Sequence, residues 1–179
     1  SHSFRTVGLC AAFVAYKYIL QVFPGAIHHS LMSEFEMNGL TVGHLSATFL
    51  YTVVITQLVA GYCLDRYSVV PLIASAISVS SLGAIIFSLT HSFYIMLVAR
   101  ALMGIGGAFA ATGYFKMTSL IISPNYFGAA NGLLATAMTL GIMFGKIPFS
   151  YLTNYLPWRT ALLGVGLLGI VLSISFKVF

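Results

Sequence analysis

Four cations stand inside or at the margin of long apolar runs, and they are the residues best placed to do chemistry: Lys17, Arg100, Lys116 and Lys146. A cation at mid-bilayer costs about 2.5–3.5 kcal/mol on insertion scales, so such a group normally faces water or an anion. A long stem can instead carry an amine to the headgroups, and for Lys146, near the end of its run, that reading stands beside the first. No carboxylate falls inside any run: Asp65 sits at the end of one, and Glu34 and Glu36 lie between two. Lys17, Arg100 and Lys116 are therefore expected to lack acidic partners in the chain. The opposite charge then comes from elsewhere or from a bound solute, and a solute with a carboxylate or phosphate is preferred.

Residues three or four apart share a helical face. Lys17, Gln21 and His28 make one polar stripe, Thr112 and Lys116 a second, and Thr136, Thr139, Met143 and Lys146 a third. Thr48, Thr52 and Thr56 make a fourth, with Tyr51 and Gln57 nearby. Threonine hydroxyls also bond back to their own helix, so by themselves they define no cavity. The cavity lining expected from these stripes is Lys17, Gln21, His28, Tyr51, Thr112, Lys116, Thr139 and Met143. His28 also reads as an ordinary polar packing residue.

What positions these side chains follows from composition. Of 179 residues, 59% are hydrophobic and 6% charged. A soluble surface of this size needs several times that charge, and disordered chains are poor in apolar residues. The remaining solvent is the bilayer, where each spanning helix takes roughly 20 apolar residues. The fold class expected is all-α, a polytopic membrane protein with six transmembrane helices at about 7–31, 42–64, 69–90, 93–122, 128–151 and 160–178. The runs are too long for barrel strands of roughly 9–11 residues. The third and sixth carry no charge in their interiors, so they are expected to face lipid while the first, second, fourth and fifth face a polar pathway. An even number of spans returns both termini to one side. Arg5, Arg66 and Lys177 lie on that side against Arg159 on the other, which makes it cytoplasmic by the positive-inside rule. Trp158, Tyr151 and Tyr155 are expected as aromatic anchors at the opposite interface.

Several function classes are set aside. There is no basic run with interleaved aromatics, so nucleic acid is not an expected partner, despite a net charge of +5. Two cysteines, Cys10 and Cys63, give no disulfide framework or metal pattern, and no cofactor is expected. The first apolar stretch is too long for a cleavable signal peptide. An intramembrane protease needs an activated nucleophile and base; no G-x-S-x-G is present, and the adjacent His28 and His29 point about 100° apart on a helix. No catalytic residue is therefore assigned. A channel would need a filter loop or acidic ring. A non-transporting scaffold or homodimerising six-helix bundle is the stronger rival, since glycine-rich helices associate closely.

Four segments, in order, resemble the major facilitator superfamily. Gly61-Tyr62-Cys63-Leu64-Asp65-Arg66-Tyr67 resembles its G-x-L-x-D-R motif after helix 2. Arg100-Ala101-Leu102-Met103-Gly104-Ile105-Gly106-Gly107-Ala108 resembles its helix 4 motif, R-x-x-x-G-x-G-x-A. Gly128-Ala129-Ala130-Asn131-Gly132 is similar to the small-residue entry to helix 5, and Trp158-Arg159 to the W-R pair before helix 6. The run Tyr16 to Gly25, with Phe109 to Lys116, is similar to a bacterial branch that includes phagosomal nutrient transporters of intracellular bacteria, which import amino acids or nucleosides.

The resemblance implies that residues 1–179 are an N-terminal six-helix domain that rocks against an absent C-terminal six-helix half in alternating access. Helices 1 and 4 would line the cavity, helices 2 and 5 would meet the other half, and helices 3 and 6 would be peripheral. Gly61, Asp65 and Arg66 would form the cytoplasmic gate, with Gly61 allowing close approach and Asp65 capping a helix of the other half. Arg100, with Gly104, would belong to a charged relay linked to proton coupling. The implied partners are membrane lipid, the second half, a small-molecule substrate and protons. The implied location is a bacterial inner membrane. Two departures matter: Phe127 stands where a basic residue usually precedes Gly128, and Gly145-Lys146 stands where antiporter-type exporters often have Gly-Pro. With no carboxylate in the spans, a proton carrier would lie in the other half, or be His28 or the substrate itself.

Overall fold

Hydrocarbon offers no water to unpaired backbone groups, so a long apolar run persists there only by hydrogen-bonding to itself. The computed structural model describes residues 2–178. Within them all six runs are helical, and no strand occurs among the described residues. The elements are α1 (His2–Ala26), α2 (His28–Phe35), α3 (Gly39–Arg66), α4 (Val69–Leu89), α5 (Phe93–Ile121), a 3-10 turn (Pro124–Tyr126), α6 (Phe127–Leu152) and α7 (Trp158–Val178). All but α2 and the 3-10 turn are long and apolar enough to cross a membrane.

The first span differs most from its sequence reading. It starts five residues earlier and stops at Ala26, so residues expected in its last turn form the separate helix α2. Pro24 has no N–H to donate and Gly25 is a poor helix former, which weakens the helix at that point. α2 ends at Glu36 in the left-handed region (φ 51°), and the Met37 N–H reaches back to the Met32 carbonyl at 3.1 Å. α3 then starts on Asn38, whose side-chain oxygen accepts from the Thr41 N–H at 2.9 Å. That bond satisfies one of the orphan donors of the first turn.

α5 is the hub. It packs on α4, α3 and α1; α7 covers the far side of α4, and α6 lies along α1. Glycines allow these approaches. A Cβ on Gly104 would sit 2.7 Å from the Phe49 carbonyl oxygen of α3, and one on Gly106 would collide with Ala76 and Ser80 of α4. Gly141 seats against Ala15 and Tyr18, and Gly145 against Ile19 and Val22. α1 and α6 therefore run parallel and in register. That register sets Pro24 and Pro148 at matching heights, and the neighbouring Phe23 and Phe149 rings lie 6.0 Å apart.

The third span is more enclosed than the sixth, though Leu82 and Leu89 keep one side of it exposed. α4 sits between α5 and α7 and buries Ser80, Ser81 and Ser88. Its serines act as polar contacts: Ser80 donates to the Met103 carbonyl of α5 at 3.2 Å, and Ser78 and Ser173 of α7 share a hydrogen bond of 2.7 Å. The barest faces belong to α3 and α6. Tyr51, Leu58 and Tyr62 on α3, with Phe144, Ile147 and Tyr151 on α6, are exposed.

Candidate functional site

Lys17 projects from the middle of α1 and is half-buried. Its Nζ donates to Gln21 Oε1 one turn on at 2.7 Å, as the four-residue spacing allows. The amine also lies 3.9 Å from the Tyr18 ring centroid and 5.9 Å from that of Phe49, distances at which a ring face attracts a cation. Gly107 of α5 leaves room for the stem, since a Cβ there would be 3.1 Å from Lys17 Cγ. No carboxylate pairs with Lys17 among the described residues.

Arg100 is fully buried, and its partners explain why the core tolerates it. Its Nη1 donates to the Leu20 carbonyl of α1 at 2.6 Å and its Nε to the Leu45 carbonyl of α3 at 3.0 Å. Leu20 lies four residues before Pro24, so its carbonyl is the one that Pro24 cannot serve. Arg100 supplies the missing donor from α5. The guanidinium also lies against the Phe49 ring (4.6 Å) and the Phe23 ring (5.2 Å). Its Nη2 has no hydrogen-bond partner among the described residues. The charged relay implied for Arg100 is thus not built within these helices; they offer it carbonyls, aromatic faces and the Met103 sulfur at 3.5 Å.

Lys116 is corrected from an unpaired cation to a paired one. Its Nζ meets Asp65 Oδ1 at 2.7 Å. Lys116 lies near the end of α5 and Asp65 near the end of α3, and both helices finish at the end of the bundle that carries the termini, so the two charges arrive at one level. They share a groove of about 410 Å³ with Gly61, Thr112 and Phe115. Lys116 is therefore placed beside the gate motif rather than beside Lys17. A Cβ on Gly61 would meet nothing within 4 Å, in contrast to Gly104. Arg66 is exposed, with its guanidinium 5.3 Å from the Tyr62 ring.

The other expected lining residues are not gathered at one point. Thr112 and Thr139 bond back to the Ala108 and Ala135 carbonyls, as do Thr48, Thr52 and Thr136 to their own helices. Tyr51 and Met143 are exposed on α3 and α6. His28 lies on α2, beyond the break, so the Lys17–Gln21 stripe does not continue to it as one helix.

Sequence reading missed a clamp at the end away from the termini. Arg159, at the start of α7, donates through Nη2 and Nε to Glu34 Oε1 at 2.6 and 3.0 Å, and through Nη1 to the Ser88 and Thr90 carbonyls. Trp158 donates from its ring nitrogen to Glu34 Oε2 at 2.8 Å. Trp158 is buried against Phe87, so it is not the interface anchor expected of it; Tyr151 and Tyr155 are exposed, with their hydroxyls 3.1 Å apart. Burial pushes the Glu34 carboxyl up, but the hydrogen bonds from Arg159 and Trp158 and the Arg159 charge outweigh this and hold it below its ordinary value. The signal available was a single Lys/Arg residue, Arg159, on the side that carries Glu34 and Glu36.

Six helices with glycines at α5 crossings, an acid–base pair closing one end and a W-R pair at the other form a combination that comparison can test. The sequence profile of the Major Facilitator Superfamily matches residues 7–179. The chain belongs to the Major Facilitator Superfamily. It is an integral membrane chain carrying one six-helix half of that fold. It is 23% identical over 168 residues to an uncharacterized transporter, YybO, of Bacillus subtilis (strain 168), covering 94% of this chain and 39% of that protein. Multidrug resistance protein 1 of the same organism is 26% identical over 140 residues, 78% of this chain and 36% of that one. The probable galactarate/D-glucarate transporter GudP, also from B. subtilis, is 24% identical over 151 residues, 81% of this chain and 33% of that one. The chain thus spans between a third and two fifths of the length of these relatives.

Proposed function

We propose that this chain is the N-terminal half of a secondary active transporter, working by alternating access with a C-terminal six-helix half. The cargo is a small polar organic solute with a carboxylate or phosphate, an amino acid or organic anion being favoured. The observation that carries this reading is Lys17: a half-buried cation in the middle of a span, held by one amide oxygen and two aromatic faces. Its unneutralised charge favours an anion arriving from the aqueous phase. The printed cargo of one relative, a sugar diacid, is of this class. Other relatives bear drug-resistance names, and Lys146 in place of the proline common in antiporter-type exporters argues against that alternative.

In this reading Asp65, Arg66 and Gly61 form the cytoplasmic gate with Lys116 as the Asp65 partner, and both termini lie in the cytoplasm of a bacterium. A proton is the coupling ion we favour, and the phagosomal nutrient-transporter branch the finer relationship. The bare faces of α3 and α6 also fit a second copy of this chain, which is the alternative reading, a homodimeric scaffold that moves nothing.

Uptake by the intact protein in proteoliposomes, screened over amino acids and organic anions, tests the proposal. Lys17→Ala is expected to raise KM for the anionic solute about tenfold or more, the loss of one charge-assisted hydrogen bond, and Lys17→Arg to restore part of it. An unchanged KM removes Lys17 from the site; no uptake of any solute by the wild type favours the scaffold.

A further inference from the structure

A second cation without an acidic partner among the described residues, Lys146, lies on α6. At the end of the bundle away from the termini, a groove of about 680 Å³ opens between α1 and α6. One wall is Gly25 and Ala26, the last residues of α1, which carry almost no side chain. The other is α6 and the turn after it: Lys146 and Ser150 stand four residues apart on the helix with Ile147 and Tyr151 beside them, and Asn154 lies in the turn beyond Leu152. Steps of four stack side chains on one face of a helix, so the amine and the hydroxyl share a face, and the Asn154 amide borders the same groove. Its volume falls in the range of small-molecule sites, roughly 300–1,000 Å³.

The chain's acids are all accounted for elsewhere. Asp65 pairs with Lys116 at the opposite end, Glu34 is taken by Arg159 and Trp158, and Glu36 is exposed at the end of α2. Lys146 lies six residues before the end of α6 at Leu152, about 9 Å along the helix axis. Lys146 is exposed, and from that level its stem reaches either the headgroups or the groove beside it. The register of Gly141 and Gly145 against α1 sets Lys146 about one helical turn beyond Lys17. Lys17, Gln21 and Gly25 themselves follow at steps of four along α1. Two cations without acids thus lie at successive depths on different faces: Lys17, held by Gln21, turns toward α3 and α5, and Lys146 borders the groove between α1 and α6.

We propose that this groove is an oxyanion-binding station for the carboxylate or phosphate of a soluble solute. Lys146 supplies the charge. Ser150, Tyr151 and Asn154 supply hydrogen-bond donors, and the bare end of α1 leaves room for the rest of the molecule. The station deepens the anionic-solute reading given above and rests on it.

The test reads local potential rather than uptake, so it fails independently of the Lys17 experiment. Ser150→Cys is placed in the intact protein, in a background whose other reactive cysteines are serine, in phosphatidylcholine nanodiscs. Modification rates are measured with anionic methanethiosulfonate ethylsulfonate and with its cationic trimethylammonium counterpart. The ratio of anionic to cationic rate is expected to fall about tenfold when Lys146→Gln is added, from Coulomb attraction at this range, and to be kept by Lys146→Arg. Succinate or inorganic phosphate should slow modification with Lys146 present and not with Lys146→Gln. A ratio indifferent to Lys146→Gln overturns the proposal. So does protection by phosphatidylglycerol in the disc with none from the soluble anions, which would make the groove a lipid-phosphate seat.

Discussion

Pro24 removes one backbone donor from α1, and Arg100 provides another from α5. This exchange makes a prediction at the scale of single residues. Arg100→Ala leaves the Leu20 carbonyl without a donor and opens a cavity, and is expected to destabilise the protein by about 3 kcal/mol or more. Adding Pro24→Ala returns an N–H to the place where Leu20 needs it. The double variant should recover about 1 kcal/mol relative to the sum of the single changes. Thermal unfolding of the purified intact protein measures the cycle, and strict additivity would remove the clamp. The sequence shows Arg100 as a conspicuous charge in an apolar run, but not what it touches. The clue was the four-residue spacing from Leu20 to Pro24; that Arg100 of a different helix answers it depends on helix packing, which no local pattern carries. The Lys17–Gln21 pair was legible because both residues lie on one helix, where spacing fixes contact.

Between elements, two ion pairs of similar length differ in what they do. Arg159 holds Glu34 of α2 and the carbonyls that close α4, and Trp158 completes the set. Because the folded Glu34 carboxyl is held below its unfolded value, its contribution is full above the ordinary carboxylate range and is lost as pH falls through the lower folded value. The melting temperature of the wild type should therefore drop on acidification more steeply than that of Glu34→Gln; identical acid limbs would show that the clamp adds nothing. Lys116 and Asp65 are a different case. Their side chains are 33% and 71% exposed, and pairs this open are worth at most about 1 kcal/mol. Lys116→Met should leave the melting temperature nearly unchanged while altering the transport rate of the intact protein. A large loss of stability would make the pair a structural strut. At this scale the sequence gives helix number and type well, because lipid enforces both. It gives the break after Ala26 poorly, because a long apolar run hides a proline whose effect is local. The partnership of Lys116 with Asp65 was also readable in principle from two helices ending on one side, had depth been judged from the helix end rather than from the apolar run.

For the whole molecule, the glycines divide into two groups. Those of α5, with Gly141 and Gly145, are filled against neighbours within the six helices, whereas Gly61 and Gly132 have nothing within 4 Å of where a Cβ would stand. Gly61→Leu and Gly132→Leu should therefore leave the packing of these helices untouched. If α3 and α6 meet a second six-helix body, both changes should lower the melting temperature and the uptake rate of the intact protein. Wild-type behaviour in both measurements would mean that nothing docks closely there. The order of motifs made the half-fold readable from sequence alone. Which helices would be left bare was not readable from hydropathy, since α4 is as apolar as α7 and yet is more enclosed.

Stiffness is not uniform in such an assembly. A helix resists bending through its ladder of hydrogen bonds, and a proline deletes one rung. Pro24 and Pro148 delete theirs at one height on two parallel helices, but Arg100 bridges the gap in α1. The hold of Arg159 and Trp158 on Glu34 ties the helix that follows α1 to α7. Compliance is then expected beside Pro148, at the end where the Lys146 groove opens, and least at the α5 crossings that glycines close.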